Sequence, residues 1–181
     1  DGRSFVAEGM DLKGRQGAFR IDAKTAAVEP LEFRPSGGNI GIPHWSADGG
    51  KVYFIRRPDA SGNDAALVER DLSTGAEREL LSHAVIYWFS PGPGGKTIAV
   101  DASVAPSKVR KILILGTDGR ESRELPLPGP GFERFLWTPD GSQILLRKAG
   151  EIWTLDARGG EPRKIDLGVT RILDFRVHPD G

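Results

Sequence analysis

There is no cysteine among the 181 residues. Disulfides and thiolate metal sites are therefore excluded, and the redox compartment stays open, because such a chain suits cytosol and periplasm alike. Net charge is absent as well: 25 Lys and Arg balance 25 Asp and Glu. That balance removes the long-range attraction between a basic protein and nucleic acid or an anionic membrane, so neither partner is expected. Long apolar runs are also missing. Stretches such as Ile112-Leu113-Ile114-Leu115 fall far short of the ~20 residues that span a bilayer, and Asp1-Gly2-Arg3-Ser4 lacks the apolar core of a signal peptide. No membrane insertion is expected. No Gly-x-Ser-x-Gly nucleophile elbow occurs, so hydrolase chemistry would need another domain.

Turn chemistry is abundant, with 24 Gly and 13 Pro, and it recurs. Three segments align: Trp45-Ser46-Ala47-Asp48-Gly49-Gly50-Lys51, Phe89-Ser90-Pro91 through Gly95-Lys96, and Trp137-Thr138-Pro139-Asp140-Gly141-Ser142. In each, a bulky residue ends a strand, a hydroxyl is placed to bond the turn backbone, and Pro or Asp-Gly sets up a tight hairpin. The β-branched and aromatic run that follows has strand chemistry. A second unit recurs after each hairpin, at 67–75, 112–119 and 152–159, followed by a short basic and apolar run. The bulky anchors at 45, 89, 137 and 177 lie 40 to 48 residues apart, within the range of about 40–50 expected for four-stranded propeller blades. Helix formers dominate 65–81, yet Ser73-Thr74-Gly75 breaks that run where the sister units carry Gly, so strands are expected there.

The chain ends on Val177-His178-Pro179-Asp180-Gly181 and begins on Asp1-Gly2, equivalent points of the same turn. The expected fold is therefore all-β, a β-propeller of four-stranded antiparallel blades, four per chain, with 3+1 closure of the termini. Strand 172–177 would be innermost in a blade whose other strands are 4–8, 18–22 and 31–33. Blade pieces are 3–34 plus 170–181, 39–82, 84–126 and 131–167, within one propeller array over 1–181. Closure gives a four-bladed ring or half of an eight-bladed dimeric ring, and it removes sheet edges that invite aggregation.

The pattern aromatic-Ser-Pro-Asp-Gly-Lys followed by an apolar strand resembles the TolB-like, WD-repeat-related propeller repeat. Trp45 to Lys51 match it with Ala47 in place of Pro and one extra Gly, and Trp137 to Gly141 match it with Thr138 for Ser. The copy at 89–96 carries two extra residues and no Asp. The resemblance covers essentially the whole chain. It implies roles in protein binding, substrate gating beside a hydrolase, or ligand sensing, and it points to a periplasmic or otherwise extracytoplasmic location. The matching residues are structural, so they speak to fold and hardly to function.

Candidate chemistry is sparse. His44, His83 and His178 lie in separate units with no second ligand at metal spacing, and no cofactor or metal is expected. The aromatics Trp45, Trp88, Phe89, Trp137, Trp153 and Phe175 read as inter-blade core, and Lys108, Arg110 and Lys111 read as a solvated strand edge. The innermost strands carry polar residues where their sisters carry Ile42 and Ile86: Glu133 and Arg134 on one, Arg171 and Asp174 on another, His83 and Tyr87 on a third. The plainer reading is an ion pair such as Arg134 with Asp174. The functional one is a polar channel mouth made by these six residues. The loops 35–41, 57–64, 102–108 and 127–131 should share a face with it, and loops on a rigid scaffold carry recognition.

The sequence thus leads to a non-catalytic binding or scaffold module for a protein or peptide, with a homodimer completing the ring as one assembly. The alternatives are the propeller of a prolyl-oligopeptidase-like enzyme gating substrate access, a ligand-sensing domain, or an excised or designed blade array with no evolved ligand.

Overall fold

The structure, a computed structural model, describes residues 2–33, 38–59, 61–107, 109–120, 122–129, 131–169 and 171–178, the side chain of Arg134 apart. Asp1, Lys108 and the closing Pro179, Asp180 and Gly181 lie outside the described residues.

The chain is all-β. Strands β1 (Ser4–Met10), β2 (Gln16–Asp22) and β3 (Val28–Phe33) are followed by β4 (Asn39–Trp45), β5 (Lys51–Arg57), β6 (Ala65–Asp71) and the long β7 (Glu77–Pro91). Then come β8 (Thr97–Val104), β9 (Arg110–Gly116), β10 (Ser122–Leu125), β11 (Phe132–Trp137), β12 (Gln143–Lys148), β13 (Glu151–Asp156) and β14 (Arg163–Ile165). Hydrogen-bonded order is sequential: β1-β2-β3, then β10-β9-β8-β7-β6-β5-β4, then β11-β12-β13-β14. Adjacent strands joined by hairpins give antiparallel meanders, as the repeat requires. Within 65–81 the chain forms β6 and the start of β7, on either side of a turn that contains Ser73-Thr74-Gly75. No helix of the described residues is long and apolar enough to cross a membrane.

Two compact units are present, Asp1–Phe89 with Ser103–Lys108, and Ser90–Ala102 with Val109–Gly181. In the first, Ala18 and Leu31 of the β1–β3 sheet pack with Ile40, Val52, Phe54, Ala66 and Val68 of β4 to β6, flanked by Val6, Trp45 and Leu72. Burying one such large side chain contributes roughly 1.5–3 kcal/mol. In the second, Phe135, Ile144, Leu146 and Leu155 are fully buried, and the Trp137 indole N–H donates to the Ser90 carbonyl at 3.1 Å.

The repeated turn owes its shape to a side-chain clasp. Ser46 Oγ donates to Asp48 at 2.6 Å and accepts from the Lys51 N–H at 2.9 Å, while Asp48 also accepts from the Gly50 N–H. Thr138 and Asp140 repeat this at 2.6 Å, with Gln143 N–H on the hydroxyl and Ser142 N–H on the carboxylate. These bonds to the ionised form hold both carboxyls below the usual carboxylate range, Asp140 at about 2. The copy without Asp closes instead through Gly94 and Gly95, at φ 80° and 70°, where L side chains are strained.

A second Asp closes the β6–β7 and β2–β3 hairpins. Asp71 Oδ1 accepts from the Ser73 and Thr74 N–H groups and both hydroxyls, which lowers its pKa to about 2. Asp22 does the same with Lys24 and Thr25.

The expected innermost strand at 172–177 is not formed: among the described residues the β1–β3 sheet has three strands, and 171–178 belong to none. The local reason is competition for the backbone. The Gly150 carbonyl accepts from the Ile172 N–H at 2.8 Å, and the Arg147 guanidinium takes the carbonyls of Ile172 and Leu173.

Candidate functional site

The polar residues expected at the channel mouth fall in two groups, one in each unit. In the second unit, Glu133 at the start of β11 pairs with Arg147 of β12, whose other bonds tie down Ile172 and Leu173. Arg171 lies against Gly150, so close that a Cβ there would meet its Cγ at 2.7 Å. Asp174 caps the Phe175 N–H at 2.9 Å and accepts from Arg176 at 2.7 Å. Arg134 stands opposite Arg147 in the β11–β12 register, and its side chain lies outside the described residues. The contacts described for Glu133, Arg171 and Asp174 thus all lie within this unit.

In the first unit, His83 sits within β7 at φ 54°. Its Nδ1 lies 2.8 Å from Asp64 Oδ1, both side chains being well exposed. Tyr87, four residues on, is 46% exposed. Between them, the carbonyl of Ile86 accepts from Arg57 Nη2 at 2.9 Å.

Arg57 was not singled out by the sequence, and it organises this end of the sheets. It closes β5, where the buried run Val52, Tyr53, Phe54 and Ile55 gives way to Arg56 and Arg57 at the rim. Its half-buried guanidinium has no carboxylate within ion-pair distance among the described residues, and burial lowers its pKa against a weaker opposing pull from Glu8. Glu8 of β1 lies on the other side of Gly41. A Cβ at Gly41 would sit 2.9 Å from Glu8 Oε2 and 3.7 Å from Arg57 Nη1. Glycine thus keeps open a gap between a carboxylate and a guanidinium.

The next residue is the strained one. Ile42 has φ 58°, a left-handed conformation that is a genuine outlier for a β-branched side chain and costs on the order of 1–3 kcal/mol. It sits in the β4 bulge between Gly41 and His44, and its N–H points to Glu8 Oε2 at 3.4 Å. His44 anchors the far side of the bulge, edge-on to Trp88 and Phe89 with centroids 5.8 and 4.9 Å away. Burial lowers the His44 pKa, which keeps the imidazole neutral.

Chemically, this end offers an acceptor and a donor of opposite charge, separated by a glycine on a fixed bulge. Such a pair suits a neutral or zwitterionic polar group. Among the described residues no cluster of three or more His, Asp or Glu is arranged to hold a metal. Sequence could have flagged Arg56 and Arg57 as cations directly following an apolar strand core; nothing in the sequence marks Ile42, whose residue type argues against its conformation.

No family model matches the chain. Among solved structures it is similar to TolB from Acinetobacter baumannii, with 19% identity and a TM-score of 0.69 over 90% of this chain and 40% of that one. It is similar to a putative TolB from Agrobacterium tumefaciens, with 15% identity and a TM-score of 0.71 over 91% of this chain and 61% of that one. The β-propeller domain of the Trilobed protease from Pyrococcus furiosus gives 17% identity and a TM-score of 0.62 over 93% of this chain and 54% of that one. The sheets described above thus have the TolB-like β-propeller fold, and the chain spans about half the length of the solved structures it matches.

Proposed function

We propose that this chain, four blades of TolB-like β-propeller, is a non-catalytic binding module. It receives a protein or peptide segment at the end of its sheets where Glu8, Arg57, His83 and Tyr87 lie. The observation that supports this best is the gap at Gly41: Glu8 and Arg57, of opposite charge, face it without an ion pair to each other, beside the strained Ile42 N–H. A peptide group fits that pair, its N–H to the carboxylate and its C=O to the guanidinium. Backbone strain held at Ile42, beside this pair, is what a preorganised contact stores. The TolB resemblance supports an extracytoplasmic setting.

An array of immobilised peptides, probed with the labelled chain, tests the reading. Peptides that retain the wild type and lose both Arg57→Ala and Glu8→Gln support it. Retention indifferent to both substitutions, or no retained peptide at all, removes it.

A second reading, a propeller that gates substrate access to a hydrolase, is supported by the similarity to a protease's propeller domain. Its distinguishing result is a hydrolase bound to this chain whose cleavage of folded, but not of short, substrates the chain suppresses.

A further inference from the structure

Two opposite charges frame Gly41, and each has bonding capacity to spare. The register of β4 and β5 sets Gly41 opposite Ile55 and Asn39 opposite Arg57, so Arg57 is the diagonal neighbour of Gly41 on one face of the sheet. Gly62 lies against the Arg57 stem, a Cβ there being 3.7 Å from Cδ and 3.8 Å from Nε, and Nη2 is tied to the Ile86 carbonyl. These contacts hold the guanidinium in place. Of the five N–H donors an arginine carries, those on Nη1, beside Gly41, have no hydrogen-bond partner among the described residues. On the other side of Gly41, Glu8 Oε2 receives only the long contact from the Ile42 N–H at 3.4 Å among the described residues.

The charges decide which ligand suits the place. A Cβ at Gly41 would be 2.9 Å from Glu8 Oε2 and 3.7 Å from Arg57 Nη1, so those two atoms are separated by no more than the sum of these distances. Coulomb energy falls only as the inverse of distance. A lone carboxylate on Arg57 therefore keeps much of the repulsion from Glu8, and a lone ammonium on Glu8 keeps much of that from Arg57. A molecule with both charges on one carbon gains both attractions, through charge-assisted hydrogen bonds, which are the strong kind. Glycine at 41 keeps the two charges within reach of one such small molecule.

We propose that the place beside Gly41 binds a free α-amino acid, its ammonium on Glu8 and its carboxylate on Arg57 Nη1. This deepens the reading of Glu8 and Arg57 as a binding pair, on which it rests, and it adds regulation: the free amino acid and the peptide segment compete for one place.

Isothermal titration calorimetry with glycine tests it. The unsubstituted chain should bind glycine. Glycinamide, which lacks the carboxylate, and N-acetylglycine, which lacks the ammonium, should each bind about tenfold more weakly or worse. Gly41→Ala keeps both charges but puts a methyl between them, and it should abolish glycine binding. That methyl meets the far end of the flexible Glu8 side chain, so circular dichroism should show the variant folded; the three-ligand comparison on the unsubstituted chain decides the matter even if it is not. A chain that binds no glycine overturns the proposal, water alone then bridging the two charges. So does equal affinity for all three ligands, or glycine binding unchanged in a folded Gly41→Ala. Peptides retained through Glu8 and Arg57 by a chain that ignores glycine would remove this inference and leave the binding reading. Glycine bound by a chain that retains no peptide would do the reverse.

Discussion

Arg110 holds Asp101 through two parallel hydrogen bonds, Nε to Oδ1 at 2.8 Å and Nη2 to Oδ2 at 2.5 Å, with the carboxylate residue only 1% exposed. The guanidinium also stacks 4.2 Å over the Phe132 ring. Burial raises the Asp101 pKa, and the arginine works against that. Removing one partner of such a pair leaves an uncompensated buried charge, whereas removing both does not. Arg110→Met, which leaves the buried Asp101 carboxylate without its partner, should therefore cost about 3–5 kcal/mol in urea unfolding, and Asp101→Leu with Arg110→Met should cost clearly less. Equal losses in the single and double variants would show that the pair is not what matters there.

The β2–β3 turn repeats the β6–β7 turn, with Ala26 N–H bonded to the Asp22 carbonyl as Gly75 N–H is to Asp71. Ala26 sits at φ 58° where its sister is glycine at φ 72°. The left-handed strain of roughly 1–2 kcal/mol exceeds the chain-entropy cost of glycine, roughly 0.5–1 kcal/mol. Ala26→Gly should raise the melting temperature, and a lowered one would place the strain elsewhere.

Acid sensitivity should begin at His44. Its folded pKa lies below its unfolded one because burial disfavours the cation. Its contribution is therefore fully present above the unfolded value of about 6.5 and is lost as pH falls below it. His44→Phe, which keeps an aromatic ring against Trp88 and Phe89, should flatten stability between pH 6.5 and 5. An unchanged pH slope in this variant would mean that His44 takes up its proton alike in the folded and unfolded chains.

A second acid limb belongs to the clasps. Asp71 and Asp140, lowered to about 2 by hydroxyl and N–H donors, stabilise the fold above the ordinary carboxylate range, and that contribution is lost as pH falls toward 2. Asp140→Asn should lower the melting temperature at neutral pH and shrink the further drop between pH 4 and 2. The check is calorimetry at several pH values, and a variant that keeps the full drop would assign it to other carboxylates.

The strands and their hairpins were legible because their signals are local: Ser46 with Asp48, or Thr138 with Asp140, act within a few residues of each other. Arg110 was not. It read as part of a solvated basic edge because its partner is nine residues back within an apolar strand, and Lys111 likewise finds Glu124 across the β9–β10 hairpin. The strand expected at 172–177 has the right residue types, but its backbone is claimed by Arg147 and Gly150, which no pattern in 172–177 discloses. At the candidate site, Tyr87 and His83 could be placed from the repeat. Arg57 and Glu8 could not, since only folding sets them on either side of Gly41.

The turn clasp is complete within six residues, from Ser46 to Lys51 or Thr138 to Gln143, and asks nothing of the neighbouring sheets. A stretch of gene encoding one such hairpin with its strands is thus a self-sufficient unit of inheritance. It can be copied, lost or rejoined at a clasp without re-solving the loop it cuts, and the lengths between clasps can drift while the closures themselves stay in register.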